Sequence, residues 1–163
     1  PSHRRMGSIR TQGSLAPRIS QSPAVTVVAW ILTSTSPAPG LGVSSPAARG
    51  ARQAIGEALL AAAGQQIDGE AWQEARQLLE RANAFVQDPS AVRRLVVLLD
   101  LRRARSVMQA ATCPARDVAL STLFDVGQLQ SAVTSSFSGD GELTALASEL
   151  VSGSRAFRRR CGR

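Results

Sequence analysis

The stretch QQIDGEAWQEARQLLE, residues 65–80, decides the fold because it carries an apolar stripe at helical spacing across a glycine. The flanking residues continue this stripe in steps of three and four, which is the period of an amphipathic helix. Gly64 and Gly69 each disfavour a helix by about 1 kcal/mol relative to Ala, yet the stripe keeps its phase across both. We therefore predict one long first helix, with these residues inward: Ala51, Ile55, Ala58, Leu59, Ala62, Ile67, Ala71, Trp72, Ala75, Leu78, Leu79, Ala82, Phe85 and Val86.

The tripeptide DPS, residues 88–90, is typical of a helix start. Asp88 can serve as the N-cap, and Pro89 suits the first helical position because its missing N–H would have no partner there. We predict a second helix from Pro89 to about Ala111, which TCPARD (residues 112–117) ends. Its inward residues are Val92, Leu95, Val96 and Leu99, and its arginines cover much of its outer surface.

Two more helices complete the predicted fold. The third spans residues 114–133, with Leu120, Leu123 and Phe124 as its anchor. Asp140 caps the fourth, whose apolar stripe is Leu143, Leu146, Ala147, Leu150 and Val151. Because no strand-type alternation persists and the connections are short, the prediction is an all-α, up-down four-helix bundle over residues 51–154. The expected bundle core is Trp72, Leu79, Phe85, Leu95, Leu99, Leu123, Phe124, Leu146 and Leu150.

Residues 1–50 differ in composition from the rest. They hold nine Ser, six of the eight Pro and no acidic residue, which is typical of an organelle transit peptide. The apolar run AVTVVAWIL, residues 24–32, is followed by small residues, like a second targeting element. It is too short to cross a bilayer, which needs about 20 apolar residues. We interpret residues 1–50 as an extended arm, derived from targeting sequence and held against a partner.

The charge is concentrated at the two ends. All 19 basic residues are Arg, and residues 1–50 and 155–163 each carry +5, whereas the body between them carries −3. Basic ends contact anionic partners: acidic protein faces, lipid headgroups or phosphate. Apart from Phe157, aromatic residues are not interleaved with the arginines as in single-strand binders, which argues against a dedicated nucleic-acid function. The predicted docking residues are Arg4, Arg5, Arg10, Arg18, Arg155, Arg158, Arg159 and Arg160.

The sequence gives little support for catalysis. The only histidine is His3, so a His-based triad or a multi-His metal site is excluded. Asp68 and Glu70 would point in different directions on one helix. We therefore predict no enzyme and no catalytic, metal or cofactor site. Cys113 and Cys161 would lie at the same end of an up-down bundle, so they can form a disulfide or remain two separate thiols.

Two segments carry a resemblance to a known family. IDGEAWQEARQLL, residues 67–79, resembles the Trp-centred first long helix of PsbQ-like proteins, the extrinsic subunits of photosystem II. ALSTLFDVGQLQSAV, residues 119–133, is similar to the third helix of that family, and the order of elements agrees over residues 51–154. The chain departs from the familiar members in using Arg instead of Lys and in lacking Tyr, and residues 80–100 align poorly with the plant form.

The resemblance implies a non-catalytic scaffold on the lumenal face of the chloroplast thylakoid, bound peripherally to a large photosystem supercomplex that it stabilises. Its partners would be core or antenna subunits, with lipid headgroups as a further contact. Trp72 would be a core anchor. Chlorophyll or carotenoid would lie only at the interface with neighbouring subunits. Two alternatives stay open: an Arg-rich helical subunit of an organellar ribosome, and an accessory subunit of a respiratory complex.

Overall fold

The structure is a computed structural model that describes residues 46–162. This part of the chain is all-helical and contains no strand, as predicted. It has five helices instead of the predicted four: α1 (Pro46–Asp68), α2 (Trp72–Asn83), α3 (Ser90–Gln109), α4 (Arg116–Ser136) and α5 (Gly141–Cys161). The helical residues thus extend past both predicted limits of the bundle, residues 51 and 154. The predicted arm lies mostly in residues 1–45, outside the described residues.

The prediction of one continuous first helix is wrong, because the chain reverses at residues 69–71. The N–H of Ala71 donates to the carbonyl of Gln66 at 2.9 Å, and the N–H of Glu70 donates to that of Ile67 at 3.2 Å. These two bonds form a Schellman motif, which ends a helix through one residue with positive φ. That residue is Glu70, with φ 59°. Gly69 precedes it, so the glycine marks the end of α1 and not a bend within a longer helix.

The helices α1 and α2 form an antiparallel hairpin. At its open end, Arg52 donates a hydrogen bond to the carbonyl of Ala84 at 3.1 Å, and its guanidinium lies 5.9 Å from the centre of the Phe85 ring. Gly56 is buried against the chain that follows α2. The predicted inward stripe of the first half of α1 is also wrong, since Ala51, Ile55 and Ala58 are exposed. The buried residues of α1 are Gly56, Ala63 and Ile67.

The third helix is the central element and packs against each of the other four. It is buried on most of its circumference, through Val92, Val96, Val97, Leu98, Leu99, Leu101, Ala104 and Met108. The predicted start is nearly right. The helix begins at Ser90, one residue after Pro89, and the carboxylate of Asp88 accepts the backbone N–H of Ser90 at 2.8 Å. Hydrogen bonds from the Ser90 hydroxyl and N–H lower the pKa of Asp88.

The predicted anchor of α4 is wrong. Phe124 is 56% exposed and Leu120 is 44% exposed, whereas Leu123 is half-buried against the core. The helix instead buries the face formed by Ala119, Thr122, Val126, Leu129 and Val133. Thr122 satisfies its hydroxyl by donating to the carbonyl of Val118 at 2.8 Å, which lets a polar side chain lie in this face.

The prediction for α5 is confirmed. Asp140 caps the helix by accepting the N–H of Leu143 at 3.2 Å. Leu143, Leu146, Ala147 and Leu150 are buried, and Val151 is half-buried against them. The helix then continues through the residues assigned to a separate basic tail, and ends at Cys161. Phe157 is only 3% exposed, so the C-terminal turns belong to the packed structure.

The remaining core predictions divide into two groups. Leu79, Leu99, Leu146 and Leu150 are buried as expected. Trp72, Phe85 and Leu95 are half-buried, so Trp72 packs against the core from its edge and does not form its centre. Among the described helices, none combines the length and apolarity that a bilayer crossing requires.

Candidate functional site

The basic C-terminal turns of α5 form the candidate functional site. Arg155, Arg158 and Arg159 are all exposed. Their spacing of three and four residues places them on one side of the helix. No carboxylate within residues 46–162 forms an ion pair with any of them. We call these three residues the α5 arginine face. The other predicted docking residues at the N-terminus (Arg4, Arg5, Arg10 and Arg18) lie outside the described residues.

Arg160, also in the predicted docking set, is exposed, but its guanidinium forms hydrogen bonds within the fold. It donates to the carbonyl of Met108 at 2.7 Å and to that of Ala110 at 3.3 Å. These carbonyls belong to the C-terminal end of α3, where backbone acceptors lack helical partners. The same guanidinium lies 5.8 Å from the centre of the Phe157 ring. Arg160 therefore caps α3 and joins it to α5, and for this reason we do not count it in the α5 arginine face.

A disulfide fixes the same end of the molecule. Cys113, in the connection after α3, is bonded to Cys161, the last residue of α5. The two Cα atoms are 5.4 Å apart, and 48 residues separate the cysteines along the chain. Of the two alternatives that the sequence left open, the paired state is the one observed. The bond and the Arg160 hydrogen bonds together hold the final turns of α5, and with them the arginine face, against α3.

A cleft of about 460 Å³ lies between the α1–α2 turn and the facing sides of α3 and α5. Trp72 lies on its wall, so the opening segment of the sequence contributes to a surface feature as well as to packing. The remaining lining is mostly charged, with Asp68, Glu70, Glu142 and Glu149 opposite Arg102 and Arg105. The predicted divergence of Asp68 and Glu70 does not apply as stated, because they do not share a helix.

Most of the charged side chains in this cleft form ion pairs. Arg102 pairs with Asp68 and, at 3.1 Å, with Glu142. Arg105 pairs with Glu149 at 3.0 Å. Arg94 extends the network by pairing with Glu142 at 2.9 Å and with the N-cap residue Asp140. The Arg94 hydrogen bond is the main cause that lowers the pKa of Asp140, and the N–H of Leu143 acts in the same direction. The network joins α3 to α5 and to the end of α1.

Asp100 carries a mostly buried carboxylate that was not predicted from the sequence; its side chain is 13% exposed. One of its oxygens accepts a hydrogen bond from Arg76 at 2.8 Å, whereas Oδ2 is buried without a hydrogen-bond partner. Burial raises its pKa to about 6, although Arg76 and Arg103 oppose the shift and Asp125 adds to it. Its place in the centre of α3 was not recognisable from the apolar stripe, because Asp100 interrupts a run of buried leucines and valines.

The described residues contain no group of three or more His, Cys, Asp or Glu side chains placed to hold a metal ion. In the comparisons with known proteins, no family model, no curated protein and no solved structure matches the chain.

Proposed function

We propose that the protein is a non-catalytic, PsbQ-like extrinsic subunit of a photosystem, which stabilises a thylakoid membrane supercomplex from the lumenal side by docking onto acidic protein surfaces. The α5 arginine face is the observation that carries this proposal. Three guanidinium groups lie on one side of a helix without carboxylate partners in residues 46–162. Guanidinium groups bind carboxylates through two parallel hydrogen bonds, so the face suits a protein partner that presents Asp or Glu.

The arginines that lie between the helices are used within the fold, unlike those of the α5 arginine face. Arg76, Arg94, Arg102 and Arg105 are each paired with an acid on a neighbouring helix. Basic residues in the last turn of a helix are also stabilised by its dipole, by up to about 1 kcal/mol each. In α5 this applies to Arg158 and Arg159. That interaction needs only the backbone, so it leaves their charged ends available to an external acid.

The surrounding structure makes the face rigid. The disulfide to Cys113 and the Arg160 hydrogen bonds hold the last turn of α5 in place. A preformed array of donors loses less conformational freedom on binding than a free tail would. The disulfide also supports a compartment that allows oxidation, because such bonds are rare in reducing compartments. In our proposal, the thylakoid lumen is this oxidising compartment.

The test is salt-dependent binding to isolated photosystem complexes, with two variants of equal charge. Arg155→Gln with Arg159→Gln removes two charges from the face, and Arg49→Gln with Arg81→Gln removes two exposed charges elsewhere. Two exposed ion pairs of up to about 1 kcal/mol each predict roughly 2- to 30-fold weaker binding for the first variant only. Equal weakening of both variants, or full retention in high salt, would contradict docking through this face.

A further inference from the structure

The first helix has a wider apolar surface than the rest of the described structure covers. Its packed face consists of Gly56, Ala63 and Ile67, which are buried, and of Leu60, which contacts the core. A second apolar row lies beside it, and its members are Ala51, Ile55, Ala58, Leu59 and Ala62. We call this row the α1 stripe. At 100° per residue, Ile55 lies about 100° around the helix from Gly56, so the stripe borders the packed face.

The α1 stripe is uncovered along most of its length. Ala51, Ile55 and Ala58 are exposed, and Ile55 is 47% exposed. Leu59 and Ala62 are only half-buried. The opposite side of α1 carries Gln53, Glu57, Gln65 and Asp68 together with the small residues Ala54 and Ala61. Ile55 and Leu59 are the large apolar side chains outside the packed face, and an apolar row that borders a buried face is typical of a surface that contacts another apolar element.

A separate partner is a poor fit to a stripe of this size. Stable protein–protein interfaces use about 20–30 residues on each side, whereas the α1 stripe has five members. Association of two free molecules also costs translational and rotational freedom. A segment of the same chain avoids that cost, because a short flexible linker holds it at an effective concentration of about millimolar. The size of the stripe therefore favours an occupant that is already tethered to α1.

The sequence contains one such segment upstream of α1. Residues 24–32, AVTVVAWIL, are apolar except for Thr26, and residues 33–45 connect them to Pro46. Thirteen connecting residues can span at most about 45 Å. Ile55 lies nine residues into α1, or about 14 Å from Pro46 along the helix axis. The connection includes Gly40 and Gly42, which permit a reversal of direction. The segment can therefore reach the stripe with length to spare.

We propose that residues 24–32 of the same chain, which include Trp30, cover the α1 stripe. This contact would complete the apolar surface of α1 and would fix the start of the basic N-terminal arm next to the helical body. It is independent of the proposed photosystem role, because it involves only one chain.

Tryptophan fluorescence of the full chain provides the test. Trp30 and Trp72 are the two tryptophans, so Trp72→Phe leaves Trp30 as the single emitter. Quenching by acrylamide, a neutral quencher, then measures the exposure of Trp30. Ile55→Gln should raise the quenching constant several-fold. Leu120→Gln is the matched control, because Leu120 is 44% exposed on α4 and its replacement should leave the constant unchanged.

Three fluorescence results would overturn the proposal. The first is that acrylamide quenches Trp30 in the Trp72→Phe chain as strongly as it quenches a free indole. The second is that Leu120→Gln raises the quenching constant as much as Ile55→Gln does. The third is dependence of the emission on protein concentration over a hundredfold dilution, which would indicate that a second copy covers the stripe.

A second measurement avoids any change at Trp72. Trp30→Ala should speed amide hydrogen exchange in residues 51–62 several-fold while exchange in α5 stays the same. Unchanged exchange in residues 51–62 would also overturn the proposal.

Discussion

Gly56 lies so close to Val86 that a Cβ atom at position 56 would stand 2.7 Å from the Cγ1 atom and 3.2 Å from the backbone nitrogen of Val86. The hairpin of α1 and α2 therefore closes over a position without a side chain. We expect Gly56→Ala to lower the free energy of unfolding by about 1–2 kcal/mol, because overpacking exceeds the gain in helix propensity.

Gly64 is the matched control in the same helix, since a Cβ atom there would meet nothing within 4 Å. Gly64→Ala should raise the free energy of unfolding by up to about 1 kcal/mol. Urea unfolding of both variants measures the difference. Stabilisation of equal size by both substitutions would contradict the close packing at Val86.

The turn between α1 and α2 holds a strained residue. Glu70 has φ 59°, a conformation that costs a side-chain-bearing residue about 1–2 kcal/mol. Glu70→Gly should remove that cost and, after the larger entropy loss of glycine on folding, raise the free energy of unfolding by about 0.5–1 kcal/mol. Glu57→Gly, at an exposed helical position, should lower it by about 1 kcal/mol. Destabilisation by both substitutions would be inconsistent with the Schellman geometry.

Two phenylalanines distinguish the observed core from the one expected from the sequence. Phe157 is 3% exposed and Phe124 is 56% exposed. Phe157→Ala should cost about 3–5 kcal/mol of stability, as buried aromatic truncations do, whereas Phe124→Ala should change it by about 0.5 kcal/mol or less. Thermal and urea unfolding measure both values. A larger loss of stability for Phe124→Ala would indicate that Phe124 anchors α4, as expected from the sequence.

The disulfide closes a loop with a sequence separation of 48 residues. The loop-entropy relation assigns such a bond about 4 kcal/mol of stabilisation through the unfolded state. The double variant Cys113→Ser with Cys161→Ser should therefore unfold at lower urea concentration than the oxidised chain. Addition of a thiol reductant should shift the natural chain to the same midpoint and leave the double variant unchanged. Insensitivity of the natural chain to reductant would argue against the bond.

Asp100 should give stability a pH dependence of unusual sign. Its pKa is about 6 in the folded chain, above the ordinary value of 3.8, so the folded state binds more protons than the unfolded state between these values. Stability from this group is then greatest at low pH and is lost as the pH rises through about 6. The folded and unfolded pKa values of Asp100 differ by about 2, which corresponds to about 3 kcal/mol in the free energy of unfolding.

Asp100→Asn removes this titration. The stability of the Asn variant relative to the natural chain should increase by about 3 kcal/mol between pH 4 and pH 7. Arg76, Arg103 and Asp125 are the charged groups that act on Asp100, and they are the same in both chains. Parallel stability curves for the two chains over this pH range would show that burial does not raise the pKa of Asp100.

Local signals in the sequence were sufficient to predict the start and the buried side of α5. Asp140 caps the helix, and the residues that follow repeat at one helical period, so both the start and the buried side were predictable. The break between α1 and α2 was not predictable, because the apolar stripe keeps its phase through Gly69. A three-residue reversal returns the chain along the same core, so residues on both sides of the turn remain inward. The decisive feature is the positive φ of Glu70, and glutamate is not a residue that indicates it.

The buried face of α4 was hidden for a different reason. Leu120 and Phe124 are larger and more apolar than Ala119 and Thr122, so a search for apolar anchors selects the wrong side of the helix. Where α4 packs against α3 and α5, the buried residues in its first half are Ala119 and Thr122. The role of Arg160 was also unpredictable, because its partners are backbone carbonyls 50 and 52 residues away in sequence.

The most direct measurement of the proposed function is identification of the complex with which the chain co-purifies, by native-gel separation and mass spectrometry of each band. We predict a chlorophyll-containing band with photosystem reaction-centre peptides, from which the Arg155→Gln, Arg159→Gln variant dissociates at lower salt. Migration of the natural chain with ribosomal RNA or with respiratory subunits would contradict the proposal.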